Sequence, residues 1–322
     1  MLTIGKLKLR SNLILAPMAG VTDLPFRLLN REFGCELAFI EMINVRSLGY
    51  KAFRTKKMLF SSAKDRPLGI QIVGFEEKFI LKALDILSSY EYDVLDFNAA
   101  CPVRKVVRRG EGAGLLKEPE KLRKLLNIIV KNSGKPVTVK IRTGWDKDSI
   151  NAREIALACQ DAGISALFIH GRSREQGYSG EVDYSSIGEV KKALNIPIIG
   201  SGDVFSPILA KKMLDETGCD GLLAARGALG NPWIFKETSE FLENGKSITR
   251  PGIGEIARVM LGHLESYIDF YGAPRGVTRF RKFFGWYTKG ISDVRSLRER
   301  AFRAKTKDEL LEIIKSFRKL AD

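Results

Sequence analysis

Short apolar segments alternate with amphipathic stretches of helical period eight times before residue 225. The apolar segments are 13–17, 37–41, 68–73, 94–98, 137–141, 166–170, 197–200 and 221–224, and they read as buried strands. Strand alternating with helix in this way predicts an α/β fold, a (β/α)8 TIM barrel. A doubly wound open sheet is the rival, but it needs fewer strands and a glycine fingerprint after the first. Here the first segment runs into Ala16-Pro17-Met18-Ala19-Gly20, which is no Gly-x-Gly-x-x-Gly. The glycines of 110–114 follow the fourth segment and their helix starts late, so they are discounted as a dinucleotide loop.

From about residue 250 the pattern changes to helices alone, predicted at 256–271, 278–287 and 306–321, which form a small C-terminal all-helical domain. The division is set at 1–240 for the barrel and 241–322 for the helical unit. Ser206-Pro207 and Asn231-Pro232 each predict a helix N-cap followed by proline in the first turn. At 322 residues and 36.0 kDa the chain can bury a large core.

Chemistry on a barrel gathers where the strands end. The residues there are Pro17 and Met18, Glu41, Gln71, Asn98 with Cys101, Lys140 with Arg142, His170 with Arg172, Gly202 with Asp203, and Arg226 with Gly227. Against strands of Val, Ile, Leu and Phe, they make a polar ring at one rim. Cys101 follows Asp96-Phe97-Asn98-Ala99-Ala100 and precedes Pro102, which stops the strand. The thiol is either a proton donor or a small buried hydrophobe. Beside it lie Arg104, Lys105, Arg108 and Arg109, then the flexible stretch 110–114.

Gly202-Asp203 and Ala225-Arg226-Gly227 offer small positions whose backbone N–H groups can face one phosphate. Lys140 can set a positive charge near an electron-accepting ring, Gln71 can donate to and accept from an imide edge, and Met18 can pack on a flat ring. Together these fit a flavin mononucleotide. A phosphate-binding aldolase with Lys140 as Schiff-base nucleophile fits the residues too.

Lys plus Arg number 53 against 38 Asp plus Glu, a net charge of +15 that predicts a polyanionic partner. Residues 245–322 alone carry 17 basic and 9 acidic side chains. Arg275, Arg279 and Arg281 are the candidates for phosphate contacts, whereas Phe280, Phe283, Phe284, Trp286 and Tyr287 have the helical spacing of a core. Four scattered cysteines and two histidines, His170 and His263, argue against a zinc cluster or disulfide framework. His263 reads as structural. No apolar run reaches membrane-spanning length and residues 1–10 lack the features of a secretory signal, so a cytoplasmic protein is expected, with no membrane and no metal.

Five segments, in order, carry a resemblance: Ala16-Pro17-Met18-Ala19-Gly20-Val21-Thr22-Asp23, Gly69-Ile70-Gln71, Asp96 to Pro102, Val139-Lys140-Ile141-Arg142-Thr143-Gly144-Trp145, and His170-Gly171-Arg172. With 200–203 and Arg226-Gly227 they resemble the flavin-dependent tRNA-dihydrouridine synthases of bacterial type. The basic helical tail resembles that family's RNA-recognition domain. The resemblance implies bound FMN, NADPH as electron donor, and reduction of selected tRNA uridines to 5,6-dihydrouridine. It implies that Pro17, Met18, Ala19, Gln71, Lys140 and His170 hold the cofactor, together with Ser201, Gly202, Asp203, Ala225 and Arg226. Cys101 becomes the general acid. Asn98, Arg104, Lys105, Arg108, Arg142 and Arg172 are expected to meet the RNA near the pocket, with Arg275, Arg279 and Arg281 farther away. Ser201 stands where the family usually has asparagine and Ala225 where it usually has glycine. The chain is expected to act as a monomer, and His170 can face either cofactor or substrate.

Overall fold

A computed structural model describes residues 1–50 and 53–321. An antiparallel hairpin, β1 (Leu2–Ile4) and β2 (Leu7–Leu9), precedes the barrel. The barrel strands follow as β3 (Leu13–Leu15), β4 (Ala38–Phe39), the short β5 (Ile43–Asn44), β6 (Leu68–Val73), β7 (Val94–Asn98), β8 (Val137–Arg142), β9 (Ala166–His170), β10 (Ile198–Ser201) and β11 (Gly221–Ala224). All pair in parallel, in the order β4-β3-β11-β10-β9-β8-β7-β6-β5. The β4–β6 pairing, Ala38 opposite Leu68, closes the ring and makes the predicted (β/α)8 barrel. β5 is an added strip on β6.

The second predicted strand, 37–41, is therefore shorter than expected and is followed by a separate strand at 43–44. The N-terminal hairpin was not anticipated. Its Leu2, Ile4 and Leu9 pack with Ile14, Phe39, Phe168, Ile199 and Leu223, so it stoppers the floor of the barrel. Within that core Phe39 meets Phe168 edge-on at 5.6 Å. Gly69 is required beside it, because a Cβ there would lie 2.2 Å from the Phe39 ring.

The segment after Cys101 is more ordered than its glycines suggested. It forms a helix, Arg104–Val107, and a 3-10 turn, Gly112–Lys117. Gly110 and Gly112 have φ of +75° and +58°, and Ala113 N–H donates to the Cys101 carbonyl at 3.1 Å. Ser206 caps Pro207–Thr217 as predicted, accepting from Leu209 N–H. Asn231 does not cap its helix, which begins later, at Ile234–Asn244.

The tail helices are Ile253–Tyr271, Ala273–Tyr287, Arg295–Arg303 and Lys307–Arg318. The third was missed because only Leu297 and Ala301 are buried on it, too narrow a stripe to stand out among its arginines. Phe280, Phe283, Phe284 and Tyr287 are buried, as their spacing predicted. Phe283 stacks on Phe26 of the barrel helix Leu24–Glu32 at 5.6 Å. His263 sits in this aromatic nest, within 3.0 Å of the Tyr287 hydroxyl, and burial pushes its pKa down to about 3. One apolar cluster runs from the outer barrel into the tail, and the division expected at 240/241 falls inside the helix Ile234–Asn244.

Candidate active site

The rim residues converge on one cavity of about 510 Å³ at the carboxyl ends of the strands. Every residue named above for a cofactor lines it, as do Asn98, Cys101 and Arg142. Arg104, Lys105 and Arg108 do not line it. They are exposed beside it, on and just after the helix whose neighbours Val103 and Val106 form part of its wall. Arg275 and Arg279 are exposed on the tail, while Arg281 is half-buried with its Nε unpartnered among the described residues.

The floor begins with a buried carboxylate. Asp96 accepts from Gln71 Nε2 at 2.7 Å and from the Thr138 hydroxyl at 2.7 Å. Gln71 Oε1 accepts from Asn98 Nδ2 at 2.8 Å, and Asn98 Oδ1 accepts from the N–H groups of Ala100 and Cys101 at 3.0 and 2.8 Å. A carboxylate can only accept, so it fixes which way both amides face. The chain of bonds ends at the backbone of Cys101. Burial pushes the Asp96 carboxyl up to about 6, although its two donors and Lys140 oppose the rise.

Cys101 is half-buried, and loss of solvent raises its thiol pKa. Lys140 Nζ, half-buried, has no hydrogen-bond or salt-bridge partner among the described residues. Burial, then the charge of Arg142, pushes it down to about 7. Arg142 bonds the Ala100 carbonyl at 2.8 Å, Ser173 at 2.9 Å and Gly177 at 2.8 Å, tying together the loops after β7 and β9. His170 is held neutral by burial and by the surrounding cations Lys140, Arg142, Arg172 and Arg226. Its Nδ1 lies 3.4 Å from the Ser201 hydroxyl, and its buried Nε2 has no partner among the described residues.

Arg172 occupies a different place from the one expected. It is 2% exposed, does not line the cavity, and gives its donors to the Gly180 carbonyl and the Asp203 carboxylate. Arg226 also donates to Asp203, at 2.6 Å, so two guanidiniums flank this carboxylate and hold its pKa low. Met42, Tyr178, Val204 and Phe205 line the cavity without having been foreseen. Tyr178, 59% exposed, lies eight residues past β9, and Arg226 packs 4.9 Å over its ring and 5.3 Å over that of Phe205. The only trace of it in the sequence is one aromatic among Gln176, Gly177, Ser179 and Gly180.

The loops after β10 and β11 touch so closely that Gly227 admits no side chain: a Cβ would lie 1.9 Å from the Val204 carbonyl. Gly202 has φ of +139°, and a Cβ there would meet Val182 at 2.8 Å. This glycine cradle, the unpartnered Lys140 ammonium and the remaining N–H groups of Gln71 and Asn98 form a donor-rich wall, beside which the orphaned His170 Nε2 lies. It suits a phosphorylated ligand with hydrogen-bond acceptors along one ring edge.

The sequence model of the family described as Dihydrouridine synthase (Dus) matches residues 14–321. The chain belongs to the dihydrouridine synthase family. It is 38% identical over 314 residues to the tRNA-dihydrouridine synthase B of Xanthomonas axonopodis pv. citri, covering 98% of this chain and 95% of that one. The Pasteurella multocida protein of the same name is 38% identical over 310 residues, covering 96% and 93%. Among solved structures, a 2-naphthoyl-CoA reductase complex aligns with a TM-score of 0.60 at 13% identity, over 74% of this chain and 51% of that one. A 6-hydroxypseudooxynicotine amine oxidase aligns at 0.59 and 13%, over 81% and 52%. These two share the barrel fold. Family membership makes the chain an enzyme, a flavin-dependent oxidoreductase that forms dihydrouridine, and the aldolase alternative falls. Gly227→Ala is expected to leave the barrel folded but to weaken flavin binding roughly tenfold or more, because the two loops must part. Unchanged affinity by flavin fluorescence titration would show that the close approach does not shape the cradle.

Proposed function

We propose that this chain reduces the C5=C6 bond of uridines in tRNA, holding FMN in the rim cavity and using NADPH as the external reductant. The observation that carries the reading is the thiol of Cys101, kept protonated by burial at the edge of the cavity that holds the unpartnered Lys140. Gln71, Lys140 and His170 would hold the ring of the cofactor, and the glycine cradle with Ser201, Ala225 and Arg226 its phosphate. What the flavin supplies when bound is hydride for C6 of the uracil.

Addition at C6 leaves negative charge over C5 and O4, since the double bond is conjugated to the C4 carbonyl. Cys101 gives its proton to C5 as general acid and is reprotonated from solvent. A thiol with a raised pKa suits that role better than a stable thiolate. Asn98, held by Gln71 and holding the Cys101 backbone, positions the acid. Among the described residues Arg142 Nη2 has no acceptor, and it can stabilise the developing oxyanion. Arg172 serves this site indirectly by holding Asp203.

A stacked uridine cannot reach the cavity, so the base is splayed out of the RNA. Arg104, Lys105 and Arg108 would hold phosphates near the mouth, with Arg275, Arg279 and Arg281 gripping farther along. On this reading residues 1–240 form the catalytic unit and 241–322 the RNA-recognition unit, and the enzyme acts as a cytoplasmic monomer. Among the described residues no helix is long and apolar enough to cross a membrane.

Cys101→Ala is expected to bind FMN and oxidise NADPH as the parent does, while dihydrouridine formation falls roughly a hundredfold or more. Near-normal product would remove Cys101 from the chemistry. Lys140 gives a second test. With its pKa pushed down to about 7, its charge is present below that pH and fades above it. A ring edge of hydrogen-bond acceptors alongside favours the ammonium, so binding takes up a proton and FMN affinity should fall as pH rises from about 7 to 9. Lys140→Met should flatten that dependence, and parallel slopes for the two proteins would contradict the assignment.

A further inference from the structure

The turn that follows β3 carries Pro17, Met18 and Ala19 into the cavity and is gripped from outside by the tail. It is closed by local bonds: Val21 N–H donates to the Met18 carbonyl at 3.0 Å, and Met18 N–H to the Thr22 hydroxyl at 3.0 Å. Moving residues 20–23 therefore moves Met18. Gly20, at φ of +75°, donates its N–H to the Glu41 carboxylate, and its carbonyl accepts from Lys282 Nζ on the tail helix Ala273–Tyr287. Opposite charges thus hold the peptide groups on either side of one residue. Three residues later the buried Asp23 carboxylate accepts from the hydroxyls of Tyr267 at 2.7 Å and Tyr271 at 2.8 Å, both on Ile253–Tyr271. None of these three tail residues lines the cavity. Each bond has a charged partner, the stronger class of hydrogen bond.

We propose that Lys282, Tyr267 and Tyr271 are positioning residues for the cofactor-facing turn 17–20, so that docking of the tail sets how tightly and in what orientation the flavin is held. The inference rests on the flavin reading of the cavity. It gives the tail a second task beside RNA binding. Because the clamp lies at the start of the barrel helix Leu24–Glu32, loss of it need not unfold either part.

The test is FMN titration of the full chain, followed by flavin fluorescence and by the visible absorption band. Lys282→Met should weaken FMN binding roughly tenfold and shift the band, and Lys282→Arg should restore both. Tyr267→Phe combined with Tyr271→Phe should act in the same direction through Asp23. Ile313→Val, a small loss in the tail's own core away from the clamp, should leave FMN affinity within about twofold of the parent. Unchanged affinity and spectrum in both clamp variants would overturn the proposal. So would equal weakening in Ile313→Val, which would show only general loosening. A parent protein that binds no flavin overturns the flavin reading itself, a result visible before any variant is compared.

Discussion

The parallel ladder that closes on itself is the constraint from which the site follows. β3 pairs with β11 and β4 with β6, so the ladder closes on itself and its strands all run the same way. Their carboxyl ends must then share one rim, and residues as distant in sequence as Met18, Cys101, His170 and Arg226 meet around one cavity. The hairpin β1–β2 fills the opposite end with leucine and isoleucine. Apolar packing below leaves the polar groups gathered at the rim above.

The rim combines burial with an excess of positive charge. Lys140, Arg142, Arg172 and Arg226 surround His170, and Asp203 faces two of the arginines. Such crowding is costly without an anion, and the protein meets part of the cost by lowering the pKa of Lys140 and keeping His170 neutral. Asp96 serves a separate purpose beneath them. As a pure acceptor it orders Gln71 and Asn98, and through them the backbone at Cys101.

Much of this was legible in the sequence, because buried parallel strands are continuous apolar runs and their last residues are where polarity begins. Gln71, Lys140 and His170 were placed by that logic alone. Most of what escaped it depends on tertiary contact. Tyr178 and Phe205 lie in loops whose path no periodicity records. Arg172 has the composition of an RNA ligand, yet it bonds Gly180 and Asp203. The split of the second strand into 38–39 and 43–44 arises from pairing of both pieces with the distant β6, and 104–117 is ordered by short-range turns closed on the Cys101 carbonyl, which its glycines do not announce. Asp23 lies more than two hundred residues from Tyr267 and Tyr271, so their hydrogen bonds became visible only in the fold.

The central claim is that the cavity reduces uridine within RNA. The most direct measurement incubates the purified protein with FMN, NADPH and tRNA lacking modifications, beside a parallel reaction on free uridine, and quantifies dihydrouridine by nucleoside mass spectrometry. Dihydrouridine in the tRNA and none from free uridine is the predicted result. Flavin bound and NADPH consumed with no dihydrouridine in the tRNA would contradict it and point to a small pyrimidine as the substrate.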